Sequence, residues 1–535
     1  RQYKRSFEFD SNKMNVKLLL VLCSLIVFCN GENCIKKSFD YSSFVCVCNS
    51  MACDKVTPEW DLKPQQFIVY MSSRDEYRLD NFESYFNMSP GPYPGVNFHI
   101  NLSKTYQTII GFGGAFTDAT GINVMSLPEG AQENWFKSYF SSEGIQYSIG
   151  RIPMASCDFS TYPYSYDNTS GDFEMIKFFL QYEDIHYKIP LMTQAMEMLQ
   201  KDGRNISFFG SPWSAPAWMK TNDDMRGYGT LKGPQGGPYY KAWAEYFVHF
   251  IREYQTKGIK MWGVTAQNEP SDGYIHGFPF QAMGWTPEQQ RDFIAYDLGP
   301  ALEKNGFGDV KIMILDDQRI FLPYWADKVL SNSTAAKYVS GIAIHWYEDP
   351  LVPVLALDST HDKFPDKFIF GTEACVEPII DKRDTVALGD WSRAERYAKD
   401  ILQDLQHWVT GWTDWNMALD MQGGPNWVSN FVDSPVIVNK EKGEFYKQPM
   451  FYAMGHFSKF VPPGSVRVAM KAVSGEEKDL SCVTFLREKQ TLAIVCANFG
   501  NAKIDVSFKV DDVQGYLFYS LPPHSLATFR CNYIP

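Results

Sequence analysis

The chain has 535 residues, 45% of them hydrophobic and 16% aromatic, which suits one large core with smaller companion domains. Its 50 Lys and Arg stand against 62 Asp and Glu, a net charge of −12 at pH 7 with histidine neutral. That acidity, with no basic stripe, repels phosphate backbones and excludes nucleic acid as the partner.

Residues 14–31 read MNVKLLLVLCSLIVFCNG. A lysine, a short apolar run and small residues near Gly31 have the anatomy of a secretory signal peptide, so residues 1–31 are set aside as leader. Cys34, Cys46, Cys48 and Cys53 follow at once. In a secreted chain such a cluster reads as two local disulfides, and no CxxC pair or nearby histidine supports zinc. The five later cysteines are spread out and are expected as buried thiols. Asn87, Asn101, Asn168, Asn205 and Asn332 each open an N-x-S/T sequon, the acceptor for N-linked glycan.

Residues 60–106 carry strand-like pieces. From about residue 107 to 415, short apolar runs alternate with amphipathic helical patterns. The strand runs are 108–116, 145–153, 206–212, 260–268, 310–316, 340–347, 367–373 and 408–415. Between the third and fourth, Trp243, Phe247, Phe250, Ile251 and Tyr254 fall on one helical face. Eight strands separated by helices predict an α/β chain built on a parallel (β/α)8 TIM barrel. GFGGAF at 111–116 lacks the G-x-G-x-x-G pattern of a doubly wound nucleotide fold. Residues 464–535 alternate in the strand manner and predict an all-β sandwich, which 60–106 can join.

Chemistry in such a barrel gathers at the C-terminal ends of the strands. The fourth run ends in Asn268-Glu269-Pro270 and the seventh in Thr372-Glu373-Ala374. Strands four and seven lie on roughly opposite sides of the mouth, so their carboxyls can converge. Glycoside hydrolysis needs such a pair, one acid to protonate the leaving oxygen and one carboxylate at the anomeric carbon. Glu373's charge is expected to raise the pKa of Glu269 and keep it protonated. Asp158 offers acceptors for sugar hydroxyls, while Trp213 and Trp415 offer ring faces. His345 and Tyr347 fall on one side of the sixth strand, within reach of a carboxyl. The nine histidines show no metal-binding spacing, so no metal is expected. The same pair would serve a β-xyloside or a β-1,6-glucan, and a catalytically dead glycan- or lipid-binding protein is the non-enzymatic alternative.

GFGGAFTDA, RIPMASCDFS, SPWSAPAWMKTN, VTAQNEPS, IAIHWYED, GTEAC, GWTDWNMAL and FYKQPMFYAMGHFSKFVPPGS resemble, in order, the lysosomal glucosylceramidases of glycoside hydrolase family 30. The likeness runs from Cys34 to the C-terminus and is weakest after Arg467. It implies a barrel at 107–415 with 449–464, and a sandwich at 60–106 with 465–535. It further implies a small three-stranded antiparallel domain at 32–59 with 416–448, holding Cys34–Cys46 and Cys48–Cys53. Glu269 is then the acid/base and Glu373 the nucleophile of a retaining β-glucosidase that splits glucosylceramide. Asp158, Trp213, Asn268, Trp415 and Asn430 form the glucose-binding set, with Tyr347 and His345 beside the glutamates. The resemblance implies no cofactor, a membrane-borne substrate, a saposin-type activator with acidic lipid, and a lysosomal or secreted location. A homodimer stays open. Gln267 stands where the family has glutamate, Phe278 where it has tyrosine, and the loops at 220–230 and 376–390 differ.

Overall fold

Eight short runs, nearly all buried, form parallel strands: β1 (Gly111–Ala115), β2 (Ile149–Met154), β3 (Ser207–Pro212), β4 (Met261–Thr265), β5 (Lys311–Gln318), β6 (Val339–His345), β7 (Phe368–Glu373) and β8 (Val409–Asn416). They close into a barrel in chain order, as expected. The computed structural model describes residues 33–532 apart from 90, 378–384, 477 and 512, so the expected leader lies outside the described residues.

The barrel interior is layered by the two-residue period of its strands. Ile149, Phe209, Met313, Ala343 and Phe370 pack together in one apolar layer. One pleat further toward the C-terminal ends stand Arg151, Ser211, His345 and Thr372, all buried. The apolar plug thus gives way to a polar layer directly beneath the mouth. Outside, helices cover the strands. Pro238–Thr256 buries Trp243, Phe247, Phe250, Ile251 and Tyr254, the predicted face. Pro287–Phe293 starts with a capping box between Thr286 and Gln289, and Trp391–Gln406 is capped by Asp390.

Two sheets flank the barrel, each joining distant parts of the chain. In the small sheet Lys36–Ser38, Phe44–Cys48, Glu444–Lys447, Val436–Asn439 and Leu419–Asp420 lie side by side. It has five strands, not the three that the resemblance implies, because a hairpin at Gly443 and the short edge strand extend it. Its last pair is parallel. Cys34–Cys46 and Cys48–Cys53 are bonded as expected.

The other sheet has nine strands and runs from Leu517–Leu521 to Arg78–Tyr85. It folds over on itself around Phe67, Val69, Leu492, Ile494, Phe508 and Phe529, giving a sandwich. One pair, Ile504–Val510 with Val96–Thr108, is parallel. Cys482 and Cys496 face each other on neighbouring strands and form a third disulfide, whereas thiols were expected there. Cys157, Cys375 and Cys531 are buried thiols. The wholly buried helix Pro449–Ser458 touches both the barrel and this sheet.

Of the sequons, Asn87, Asn168 and Asn205 are exposed. Asn101 and Asn332 are half-buried, and Asn332 caps the short helix Ser333–Tyr338.

Candidate active site

Glu269 and Glu373 converge across the barrel mouth. Glu373 is the last residue of β7. Glu269 follows β4 with a backbone φ of 38°, a left-handed conformation that costs a non-glycine residue on the order of 1 kcal/mol. Its N–H donates to the Asp316 carbonyl at 2.8 Å, which helps hold that turn. A bulge in β5 between Leu315 and Asp317 re-aims Asp316 inward. One oxygen of Glu269, one ring nitrogen of His345 and one oxygen of Glu373 lie within 4.8 Å of one another.

Beneath the pair runs a fully buried polar network. Arg151 donates to Glu373, to Asn268 Oδ1 at 2.8 Å and to Asp316 Oδ2 at 3.0 Å. His345 spans Glu269 Oε1 (3.1 Å) and Asp316 Oδ1 (3.0 Å). Thr265 and Thr372 donate to the two oxygens of Asp316 at 2.6 and 2.7 Å. Tyr347 donates to Glu373 Oε1 at 2.7 Å, and Gln318 to Glu269 Oε1 at 3.1 Å. Each glutamate is therefore held by at least two donors.

The electrostatics follow from two cations among three carboxylates. Burial opposes the charge on His345, but Glu373, Asp316 and Glu269 overcome it and lift its pKa to about 10. Both ring nitrogens then carry protons and donate to the flanking carboxylates. Burial likewise pushes Asp316 upward, and Arg151 and His345 reverse it to well below the usual carboxylate range. Glu269 is pushed up by burial but held below its ordinary value by His345. Glu373 ends above its ordinary value, where burial and the charge of Glu269 outweigh Arg151 and His345. This reverses the expectation that Glu373 would raise Glu269: the imidazolium sits directly against Glu269 and dominates.

Asp158, Trp213, Tyr347, Trp415 and Asn430 line one pocket with both glutamates. Trp213 and Trp415 stack at 5.1 Å, with Arg151 beside both rings. Asp158 receives Asn430 and Asn426 at 3.1 and 3.0 Å; burial lifts its pKa to about 7 against those donors. Asn268 and His345 do not line the pocket; their polar atoms serve the network below. The pocket is narrow, about 40 Å³, while clefts of about 630 and 720 Å³ elsewhere hold none of these groups. Chemistry, not size, marks the site.

Sequence reasoning missed Arg151, Asp316, Gln318, Asn426, Phe280 and Glu377. Arg151 had a signal: a charge inside a buried strand run demands partners. Gln267 donates to the carbonyls of Trp213 (2.8 Å) and Asn268 (3.0 Å), contacts an ionised glutamate cannot make. Phe278 packs on Phe280 at 4.4 Å.

A parallel eight-stranded barrel with two carboxyls meeting across its mouth, over a plug of apolar side chains, defines a glycoside hydrolase. Residues 109–461 match the glycosyl hydrolase family 30 TIM-barrel domain, and 464–529 match that family's beta sandwich domain. The chain belongs to glycosyl hydrolase family 30. It is 46% identical to lysosomal acid glucosylceramidase of Mus musculus, covering 93% of this chain and 95% of that protein. It is 43% identical to putative glucosylceramidase 4 of Caenorhabditis elegans, covering 92% and 94%. Among solved structures, SrfJ from salmonella typhimurium matches with a TM-score of 0.78 at 25% identity, covering 88% of this chain and 100% of that one.

Proposed function

We propose that the protein is a retaining β-glucosidase that hydrolyses glucosylceramide to glucose and ceramide. The observation that carries the retaining reading is the approach of the two carboxylates to within 4.8 Å. Retaining pairs stand ~5–5.5 Å apart, whereas inverting pairs stand ~6.5–9.5 Å apart to admit a water. The substrate reading is supported by relatives named as glucosylceramidases that match over nearly the whole chain.

In the first step Glu373 attacks the anomeric carbon and the C–O bond to ceramide breaks. Glu269 delivers its proton to the leaving oxygen. Tyr347 donates to one oxygen of Glu373 and Arg151 to the other, which orients the carboxylate. In the second step Glu269 takes a proton from water, whose oxygen attacks the same carbon and frees Glu373. His345 holds Glu269 low, which suits this basic half of the cycle. The acidic half requires the carboxyl pair to carry one proton, so an acidic medium favours turnover.

Asp158 and Asn430 bind sugar hydroxyls, and Trp213 and Trp415 take up the C–H face. Asn268 and His345 act as positioning residues beneath. Among the described residues no helix is long and apolar enough to cross a membrane. We place the enzyme in the lysosomal lumen or outside the cell, meeting its lipid at a membrane surface with acidic lipid and a saposin-type activator. Incubation with a cyclophellitol-type reagent, followed by peptide mapping, tests the assignment. A label on Glu373, with glucosylceramide cleaved by unlabelled enzyme, is the expected result; a label elsewhere, or none, overturns it.

A further inference from the structure

The turn that carries Glu269 brings up a carboxyl that the two-glutamate chemistry leaves unused. Asp272 lies three residues on, and its N–H donates to the Glu269 carbonyl at 3.0 Å. A closed turn of this kind brings its first and fourth residues within about 7 Å of each other. The turn is pinned from several sides. Glu269 N–H reaches the Asp316 carbonyl at 2.8 Å, and Ser271 N–H reaches Asp317 Oδ2 at 3.0 Å. Gly273 packs so tightly on Gly284 that a Cβ there would meet its backbone. The carboxyls of Asp272 and Glu269 thus stand within hydrogen-bond reach. Two ionised groups so placed repel, whereas one shared proton makes a strong bond between them.

Glu269 lines the pocket, while Asp272 stands half-buried on its flank. A leaving group therefore meets Glu269 from one side and Asp272 meets it from the other. The surrounding groups favour Asp272 as the holder of the proton. His345 and Gln318 each contact Glu269 Oε1 at 3.1 Å, and both stabilise its carboxylate. Burial pushes Glu269 up, but His345, Asp272 itself and Arg151 hold it down. Burial, then the charge of Glu269, push Asp272 upward; Asp317 adds to them and His345 opposes. Asp317 faces the turn from β5, its oxygens accepting the Ser271 and Gln318 amides. Glu373, Glu377, Asp158 and Tyr347 face Glu269 across the pocket. Gly229 and Gly284, which pack against Gly273, bring no charge.

Resting on the β-glucosidase reading above, we infer that Asp272 is a positioning residue that stores the proton Glu269 delivers to the leaving oxygen. Before reaction Asp272 carries the proton and donates it in a hydrogen bond to Glu269. As the glycosidic C–O bond breaks, Glu269 passes a proton to the departing oxygen and draws its replacement from Asp272, leaving two carboxylates. In the second step Glu269 takes a proton from the attacking water, and the Asp272–Glu269 pair regains its starting charge. One proton leaves with the alcohol and one arrives from water, so the cycle balances. Storage answers the demand that His345 creates. The contact that keeps Glu269 basic for the second step would otherwise empty it before the first. A carboxylate at Asp272 also raises the proton affinity of Glu269 at the moment the proton is needed.

The test uses the full chain with octyl β-glucoside, whose leaving oxygen needs a proton, and dinitrophenyl β-glucoside, whose leaving group departs unaided. The readout is the ratio of their kcat/KM values. Asp272→Asn keeps a donor beside Glu269 but has no proton to give. At about pH 7 it is expected to lower the octyl-to-dinitrophenyl ratio about tenfold, one unit of proton affinity lost from Glu269. At about pH 4.5, where the medium protonates Glu269 directly, the ratio falls far less. A ratio unchanged within twofold at about pH 7 overturns the inference, and so does an equal fall at both pH values, the mark of a merely structural part. Should Asp272→Asn fail to fold, Asp272→Ser carries the same comparison. These results leave the β-glucosidase reading in place, whereas an unaltered enzyme that cleaves neither glucoside overturns both.

Discussion

His345 Nδ1 lies 3.1 Å from Glu269 Oε1, and this contact opposes the protonation of Glu269 that burial favours. The imidazolium stabilises the Glu269 carboxylate directly and reaches Glu373 only through space. Glu269 is therefore held below the ordinary glutamate value, while burial and the charge of Glu269 keep Glu373 above it.

Replacing His345 by glutamine removes one cation from beside two carboxyls, and both must become weaker acids. The bell of kcat/KM against pH for an aryl β-glucoside is expected to shift upward by about one unit, with kcat lowered ~10–100-fold. Unmoved limbs would show that the ring carries no charge there.

Glu373→Gln is expected to cut kcat/KM by ~10⁴-fold or more, since no nucleophile remains. Arg151 keeps Asp316 at 3.0 Å in that variant, so the melting temperature changes by only a few degrees. Glu269→Ala should behave differently. Cleavage of alkyl and lipid glucosides, whose leaving oxygen needs a proton, falls far more than that of nitrophenyl glucosides, which leave unaided. Equal losses on both substrates would remove Glu269 from the acid role.

His456 is buried between Ser72 and Thr528, each 2.9 Å away, where helix Pro449–Ser458 meets the nine-stranded sheet. Burial lowers its pKa from 6.5 to about 3. The unfolded chain thus binds a proton that the folded one refuses, so stability falls as pH drops below about 6.5 and continues to fall toward about 3. Between pH 7 and pH 5 this amounts to about 2 kcal/mol. Urea unfolding of His456→Gln should show a pH 7 to pH 5 difference smaller by that amount, whatever its absolute stability. An undiminished difference would assign the acid sensitivity to other groups.

Cys482–Cys496 closes a loop of 14 residues within the sheet. Loops of that size confer about 3 kcal/mol by restricting the unfolded chain. The double Cys→Ala variant should unfold at correspondingly lower urea concentration with catalysis on aryl glucosides intact. A midpoint equal to wild type would mean the bridge adds nothing.

The barrel strands were readable because each is a short apolar run bounded by helix, and parallel burial leaves no alternation to confuse. Glu269 and Glu373 were readable because strand ends four and seven point at one another. The supporting network was hidden. Asp316 is one of two aspartates in LDD, and only the bulge after Leu315 decides which faces inward. The shift on Glu269 was misread because it depends on a hydrogen bond from His345, which outweighs the charge of Glu373. Cys482 and Cys496 face each other only through the register of two strands. Strand number in the small sheet depended on a hairpin closing far downstream of the first cysteines.

That small sheet, and the larger one, bear on how the protein is made. Phe44–Cys48 pairs with Glu444–Lys447, and Gln66–Ser73 pairs with Ser525–Asn532. Segments that leave the ribosome first can pair with their near neighbours, but one edge of each must wait open until nearly the whole polypeptide has been synthesised. Their edges stay sticky throughout that interval, so a lesion near the C-terminus exposes an N-terminal strand to aggregation and to cellular quality control.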